Sequence, residues 1–407
     1  MEVIHERCCG LDVHKATIAA CLITPARSGQ VHKEIRTFGT MTDDILALRD
    51  WLSEAGVTEV AMESTGVYWK PIWNLLEDDF ELVLANASHI KGLRGKKTDI
   101  KDCEWIADLL RHGLIKASFV PNREQRELRE LTRYRTTLVR ERSAELNRLQ
   151  KTLEGGNVKL ASVASHLQGK STRQMLAALA AGSTDSAAMA ELAMGRLRAK
   201  LPELQRALNG QIGPHQRFML AQQLAHIDAL DASIEAVSAE IEERLRPAAE
   251  ALEFLDSIPG VGSIVAGAMI AELGTDMAKF PTAACLSSWA KMCPGDNESA
   301  GKRRSGKTGK GDRWLRGLLT ESAHAAGRTN TYLGSQYHRL AARLGKKKAA
   351  VAVGHSILVI AYYLLQDKRP YEDLGFRYFD QRDATKLRYR LVHRLEGLGY
   401  RVDLQPA

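Results

Sequence analysis

Residues 7–24, RCCGLDVHKATIAACLIT, constrain this chain more than any other stretch. They alternate and then run apolar, with β-branched residues, as a buried strand does. Asp12 lies inside that run, where an uncompensated charge costs several kcal/mol. A second strand is predicted over Lys33–Phe38. Thr42 or Asp43 then caps a helix with Ile45, Leu46, Leu48, Trp51 and Leu52 on one face. Thr58–Met62 reads as a short strand ending at Glu63, and Tyr68–Leu76 as a helix. Glu81–Ala85 reads as a strand, and Lys97–Leu110 as a helix with Ile106, Leu109 and Leu110 facing inwards. Strands followed by alternating helices and strands predict an α/β domain over residues 1–118.

From Glu124 the pattern changes. The stretch to Glu154 is highly charged, with Leu128, Leu131, Leu138, Leu146, Leu149 and Leu153 at helical spacings. An Ala-rich, weakly helical segment follows over 155–213. Then Ile227, Leu230, Ile234, Val237 and Ile241 recur by threes and fours, the seam of a coiled coil. That seam suits either an antiparallel hairpin within the chain or a partner helix. A helical region over 119–250 is therefore predicted. Residues 251–366 read as a second, mainly helical domain, and 367–407 as a polar, Arg-rich tail. Ser257–Gly262 (SIPGVG) fits a helix–hairpin–helix turn, where glycines let backbone N–H groups approach a phosphate. It fits a plain Gly-rich turn as well.

A chain of 407 residues suggests two or three domains. Its net charge of +8 leans towards a polyanionic partner. Six cysteines without zinc or C-x-x-C spacing read as buried thiols of a reducing compartment, against a disulfide scaffold. The first residues lack the apolar run of a signal peptide, and no window approaches 18 uninterrupted apolar residues. An intracellular soluble protein is expected.

Four carboxylates stand at telling places. Asp12 lies in the first strand, Glu63 ends the TEVAM strand, and Asp99 and Asp102 share one helix face. Each alone fits a cap or a solvated face. As an ordered set they could converge in a ribonuclease-H-like sheet, where divalent cations such as Mg²⁺ would relieve their mutual repulsion. Two such ions can stabilise the attacking and leaving oxygens of phosphodiester chemistry. Lys15 and the run Lys91, Arg94, Lys96 and Lys97 could hold a phosphate backbone nearby.

Cys293–Arg316, CPGDNESAGKRRSGKTGKGDRWLR, contains a match to the phosphate-loop pattern at Gly301–Thr308. Its flanks do not fit: CPGDNES is turn-like, and Gly-Lys-Gly after Thr308 does not start a helix. What remains is a flexible basic loop whose Lys302, Arg303, Arg304, Lys307, Lys310, Arg313 and Arg316 suit phosphates. Ser299, just before the cluster, is by its chemistry alone an ordinary loop serine.

Taken together, GLDVHK, MESTG, KTDIKDCEWIADLL, SIPGVG and the 293–316 segment resemble the DEDD recombinases, or transposases, of bacterial insertion sequences of the IS one-ten family. The resemblance covers nearly the whole chain in the right order. It implies a RuvC-like N-terminal domain, a coiled-coil middle and a mainly α C-terminal transposase domain. Asp12, Glu63, Asp99 and Asp102 would bind Mg²⁺ (or Mn²⁺), and Ser299 would form a covalent phosphoserine link to DNA. Ser305 is its main rival, and Ser288 lies nearby. The implied partners are donor and target DNA, a structured bridge (seeker) RNA as guide, and further copies of the chain, in dimers that pair into a tetramer. The implied setting is the bacterial cytoplasm, at the nucleoid. The segment 155–213 is long for the family's middle. The other reading is a metal-dependent RuvC-like nuclease or junction resolvase without a covalent intermediate.

Overall fold

The computed structural model describes residues 2–25, 31–64, 66–86, 99–295, 297–299, 302–306, 308–309, 311–382 and 384–405. For 99–100, 297–299, 302–305 and 386–387 the description is of the backbone element alone. The chain divides into two compact units, Met1–Arg123 and Glu124–Ala407.

The first unit is built on a mixed sheet of β1 (Cys8–Val13), β2 (Thr17–Pro25), β3 (Val31–Gly39), β4 (Glu59–Glu63) and β5 (Glu81–Ala85). The strand order is β3-β2-β1-β4-β5; β1 to β3 run antiparallel, and β4 and β5 run parallel to β1. The run expected as one strand is thus two. The polar residues His14 and Lys15 interrupt it, and the His14 N–H donates to the Thr17 carbonyl at 2.9 Å to close the turn. Among the described residues three helices cover the sheet: α1 (Thr42–Glu54), α2 (Trp69–Leu76) and α3 (Asp99–Arg111). The N-cap of α1 is Met41 rather than the expected Thr42 or Asp43, and the Asp44 carboxylate reaches back to accept from the Met41 N–H at 3.3 Å.

Strand alternation sorts the core into two faces. Cys9, Leu11 and Val13 pack with Ile45, Leu48, Trp51, Ile72 and Leu76 of α1 and α2. Cys8, Ala19, Cys21 and Ala61 pack on the other face with Cys103, Ile106, Ala107 and Leu110 of α3. Four of the six cysteines are therefore buried thiols, while Cys285 is exposed and Cys293 half-buried. Gly10 lies on the α3 face at the closest approach. A Cβ there would stand 2.5 Å from the Cys103 carbonyl oxygen and 2.9 Å from the Ala107 Cα.

The second unit is helical apart from one β-ribbon. Its long helix α4 (Arg123–Gly155), which starts at the unit boundary, leads to the short α5 (Leu160–Val163), α6 (Lys170–Ala180), α7 (Ser186–Ala190) and α8 (Leu201–Leu208), and then to α9 (Pro214–Leu245). Helices α4 and α9 lie antiparallel, laced by Arg244–Glu127 (2.6 Å), Arg135–Ser238 (2.7 Å), Arg142–Asp231 and His226–Glu145 (3.4 Å). The seam is thus used within the chain: Ile227, Leu230 and Ile241 are buried, and Ile234 and Val237 half-buried. At the far end of the pair Leu149, Leu153, Leu220 and Leu224 join Val158, Leu160, Met175, Leu176, Leu179 and Leu204 in a core of their own. The segment 155–213 therefore caps the pair.

Then follow α10 (Ala249–Asp256), α11 (Ser263–Leu273), α12 (Ala283–Trp289), the strands β6 (Asn297–Ser299) and β7 (Lys302–Ser305), α13 (Arg313–Ala326), α14 (Tyr332–Leu344) and α15 (Lys346–Asp367). In the SIPGVG turn Gly260 has φ +88°, and a Cβ there would meet the backbone of Ser322 and Ala326. Helix α15 is long and apolar enough to cross a membrane, yet Val353, Gly354, Ile357, Leu358 and Ala361 are buried against α13, α14 and α12, as in a core helix. The expected tail contains two further helices, α16 (Tyr378–Arg382) and α17 (Ala384–Glu396), with Phe379 stacked on Tyr332 at 5.0 Å.

Gly10→Ala should destabilise the first unit by about 1–3 kcal/mol, because a methyl there meets backbone that cannot rotate away. Faster amide exchange in residues 8–13 and 103–110, with exchange in α13 and α15 unchanged, is the expected result.

Candidate active site

Asp12, the most buried of the expected acids among the described side chains, is 7% exposed. It sits one pleat beyond Gly10, so it shares the α3 face with Gly10 and Cys8. In β4 the same face carries Ala61 and then Glu63. The parallel register Gly10↔Ala61 and Leu11↔Met62 ends one residue before Asp12 and Glu63, so each is the next residue on its strand. Helix α3 begins over this end of the sheet. Asp102, half-buried in its first turn, adjoins Cys103, whose carbonyl oxygen approaches Gly10. Burial pushes the Cys103 thiol up to about 11, and the negative charge of nearby Asp12 adds to the rise. Asp99 is the first residue of α3.

Three described carboxylates thus come from two adjacent strand ends and the start of the helix laid over them. Their donors are all hard oxygens, the set that suits Mg²⁺. The half-exposed His14 brings its Nε2 to 3.2 Å from the Asp12 Oδ2. Among the described residues no three Asp, Glu, His or Cys side chains group closely enough to hold a metal ion, and the side chain of Asp99 lies outside the described residues. Lys15, on the exposed turn after Asp12, gives its carbonyl to the Thr40 hydroxyl at 3.0 Å. Lys91, Arg94, Lys96 and Lys97 lie outside the described residues.

In the second unit the expected flexible loop is a ribbon. Strands β6 and β7 pair antiparallel, Glu298 opposite Arg303 and Ser299 opposite Lys302, and an isolated bridge joins Pro294 to Thr308. Ser299 thus ends β6 opposite Lys302, the first residue of the strand that also carries Arg303 and Arg304. Ser305 lies opposite Asn297. Lys307 and Lys310 lie outside the described residues. The phosphate-loop pattern falls on this ribbon: its middle is extended β7, and the next helix starts only at Arg313. No loop wraps a phosphate against a helix N-terminus there. Arg313 is exposed and stacks over Trp314 at 5.0 Å. Arg316 differs from expectation: its Nη2 donates to the carbonyls of Lys291 and Gly309, both at 2.8 Å, so it ties the ribbon's root rather than offering an open phosphate contact.

Two models of known transposases match this chain: a DEDD transposase model over residues 9–157, and a model of the IS116/IS110/IS902 transposase family over 252–339. The chain belongs to the IS110 transposase family. A probable family 20 transposase of Pseudomonas aeruginosa is 27% identical over 283 residues, 68% of this chain and 74% of that protein. As an IS110-type transposase this is an enzyme acting on DNA. The four acids fall in the first matched segment, the ribbon in the second, and residues 158–251 in neither.

One feature of this transposase was missed from sequence. Glu272, near the end of α11, is 1% exposed and held by two arginines of α4. Arg133 donates to both its oxygens at 2.7 and 2.8 Å, and Arg129 approaches Oε2 at 3.0 Å. Arg133 also reaches Asp312 at 2.7 Å. The signal was present: a lone carboxylate in the apolar run SIVAGAMIAEL. Burial raises the Glu272 carboxyl from 4.5 to about 7, against the opposing pull of Arg133 and Arg129. For Asp312, burial is outweighed by Glu272, Arg133 and the Leu315 and Trp314 N–H groups, and the carboxyl is lowered.

A raised carboxyl means the folded chain keeps a proton that the unfolded chain releases between pH 4.5 and 7. That contribution, on the order of 3 kcal/mol, is complete below 4.5 and lost as pH rises through 7. Glu272→Gln cannot ionise and should flatten this part of the stability–pH curve, measured by urea unfolding followed at α11.

Proposed function

We infer that the chain is an RNA-guided DNA recombinase of an insertion sequence that cleaves and exchanges strands through a phosphoserine intermediate. The observation that carries this reading is that Asp12 and Glu63 directly follow Leu11 and Met62, the last paired residues of two adjacent parallel strands, and that the helix starting with Asp99 and Asp102 packs on those strands. The strand order, with β4 and β5 parallel to β1, supports a RuvC-like, ribonuclease-H-like fold for the first unit. Asp12, Glu63, Asp99 and Asp102 would hold Mg²⁺ or Mn²⁺, which when bound stabilises charge on the attacking and leaving oxygens.

Ser299 acts as nucleophile. Its Oγ forms a bond to a DNA phosphorus while the bond to the 3′-oxygen breaks, and the proton lost from serine balances the one that oxygen gains. One phosphodiester replaces another, so the linkage is conserved for rejoining to a new strand. The Ser299–Lys302 pairing puts the hydroxyl's residue beside the cations of β7, which suit the non-bridging phosphate oxygens. A structured guide RNA specifies donor and target by base pairing. Dimers pair into a tetramer, and acidic and serine sites come from different protomers. Within one chain α4 and α9 already cover much of each other's seam, which leaves the half-buried Ile234 and Val237 for a second copy.

Ser299→Ala should abolish the covalent protein–DNA adduct, read by mass spectrometry, while RNA still co-purifies with the protein. Asp12→Asn and Glu63→Gln should each slow strand cleavage by roughly 10⁴-fold or more. Cleavage that survives Ser299→Ala but not Asp12→Asn would instead identify a metal-dependent nuclease or resolvase without an adduct.

A further inference from the structure

We propose that Arg133, forked between Glu272 and Asp312, is a positioning residue that fixes the root of the basic ribbon to the helical body and so sets where Ser299 stands. The inference rests on the reading of Ser299 as nucleophile.

The contacts form one continuous chain within the second unit. Arg129 and Arg133 are one turn apart on α4, so they face Glu272 together. Asp312 uses its two oxygens differently: Oδ1 accepts from the N–H groups of Trp314 (2.7 Å) and Leu315 (3.2 Å), capping α13, while Oδ2 takes Arg133 at 2.7 Å. The residue at which the second arm of the ribbon becomes helix is thus fastened to α4. One turn later Arg316 binds the carbonyls of Lys291 and Gly309, one on each arm. The arms nearly touch at Gly311, where a Cβ would lie 2.6 Å from that of Lys291. Beyond them come the Pro294–Thr308 bridge and the Ser299–Lys302 pair.

A buried ion network is a poor source of net stability, because desolvation offsets the attraction, but its directional bonds can specify a unique arrangement. Arg133 is the member that joins two elements otherwise held apart in sequence, the end of α11 and the start of α13. A planar guanidinium supplies the three bonds in fixed directions, which a lysine cannot reproduce. The consequence is an effect on rate rather than on DNA affinity. A displacement of about 1 Å in a reacting group can cost about 10²-fold.

The test uses the full chain with its guide RNA and DNA substrates, comparing Arg133→Gln, Arg133→Lys and the double variant Arg133→Met/Glu272→Leu. The double variant removes the fork but leaves no unpaired buried charge at Glu272. Folding is followed by thermal unfolding, ribbon order by amide exchange over 294–311, DNA affinity by titration, and adduct formation under single turnover with saturating DNA. All three variants should form adduct about 10- to 100-fold more slowly, with DNA affinity within about threefold of the parent. Exchange over the ribbon should quicken, and the double variant should stay slow even where its thermal stability matches the parent. A double variant with parental stability and parental adduct rate would overturn the proposal, as would single variants whose rates fall only with the folded fraction. Ser299→Ala, run in parallel, separates the two ideas. Slow strand cleavage by the Arg133 variants beside an unaffected Ser299→Ala would reject the nucleophile and keep the anchor. Loss of the adduct in Ser299→Ala beside parental rates in the Arg133 variants would do the reverse.

Discussion

A carboxylate on the inner face of a central strand sets the terms for the whole first unit. Asp12 cannot be moved outward without breaking the alternation that puts Leu11 and Val13 in the core on the other side. Its charge therefore has to be met on the α3 face. The fold does so by laying the N-terminal turn of α3 over the strand ends and bringing that helix within backbone contact of Gly10. The amide dipoles at a helix N-terminus favour negative charge beside it. In the proposed site the same geometry would gather further acids of the same sign, whose repulsion a cation would relieve.

The second unit buries charge by another route. Around Glu272 two arginines and two carboxylates compensate one another within the protein, so no ion is needed. Such directional bonds hold parts in register more than they add net stability.

Much of the first unit was legible because its signals are local. Period-two alternation in Cys8–Val13, the helical face of α1 and the ordered acids all appear in the sequence, and the elements follow within a residue or two. The turn at His14 was not read, since two abutting apolar strands look like one long strand when only hydropathy is counted. The ribbon over 297–305 was also missed. Its residues are polar and Gly-flanked, and its pairing depends on Arg316 and Gly311 drawing the arms together at their root. Likewise, the partners of Glu272 lie about 140 positions away, beyond the reach of any spacing rule. The half-use of the 227–241 seam depends on the same kind of long-range contact, with α4.

The antiparallel pair α4–α9 has a consequence for how such chains can vary. Its charged rungs run from Glu127–Arg244 at one end to Glu145–His226 at the other, and the helices from α5 to α8 form their own core beyond the last rung. The stretch between the two matched segments, residues 158–251, holds the distal cap and the whole of α9. Material can therefore be lengthened, trimmed or replaced at its far end while the rungs keep Arg133 in place. The stalk makes the distal cap an exchangeable module, the place in this chain where a new domain could be grafted without disturbing either set of chemical residues.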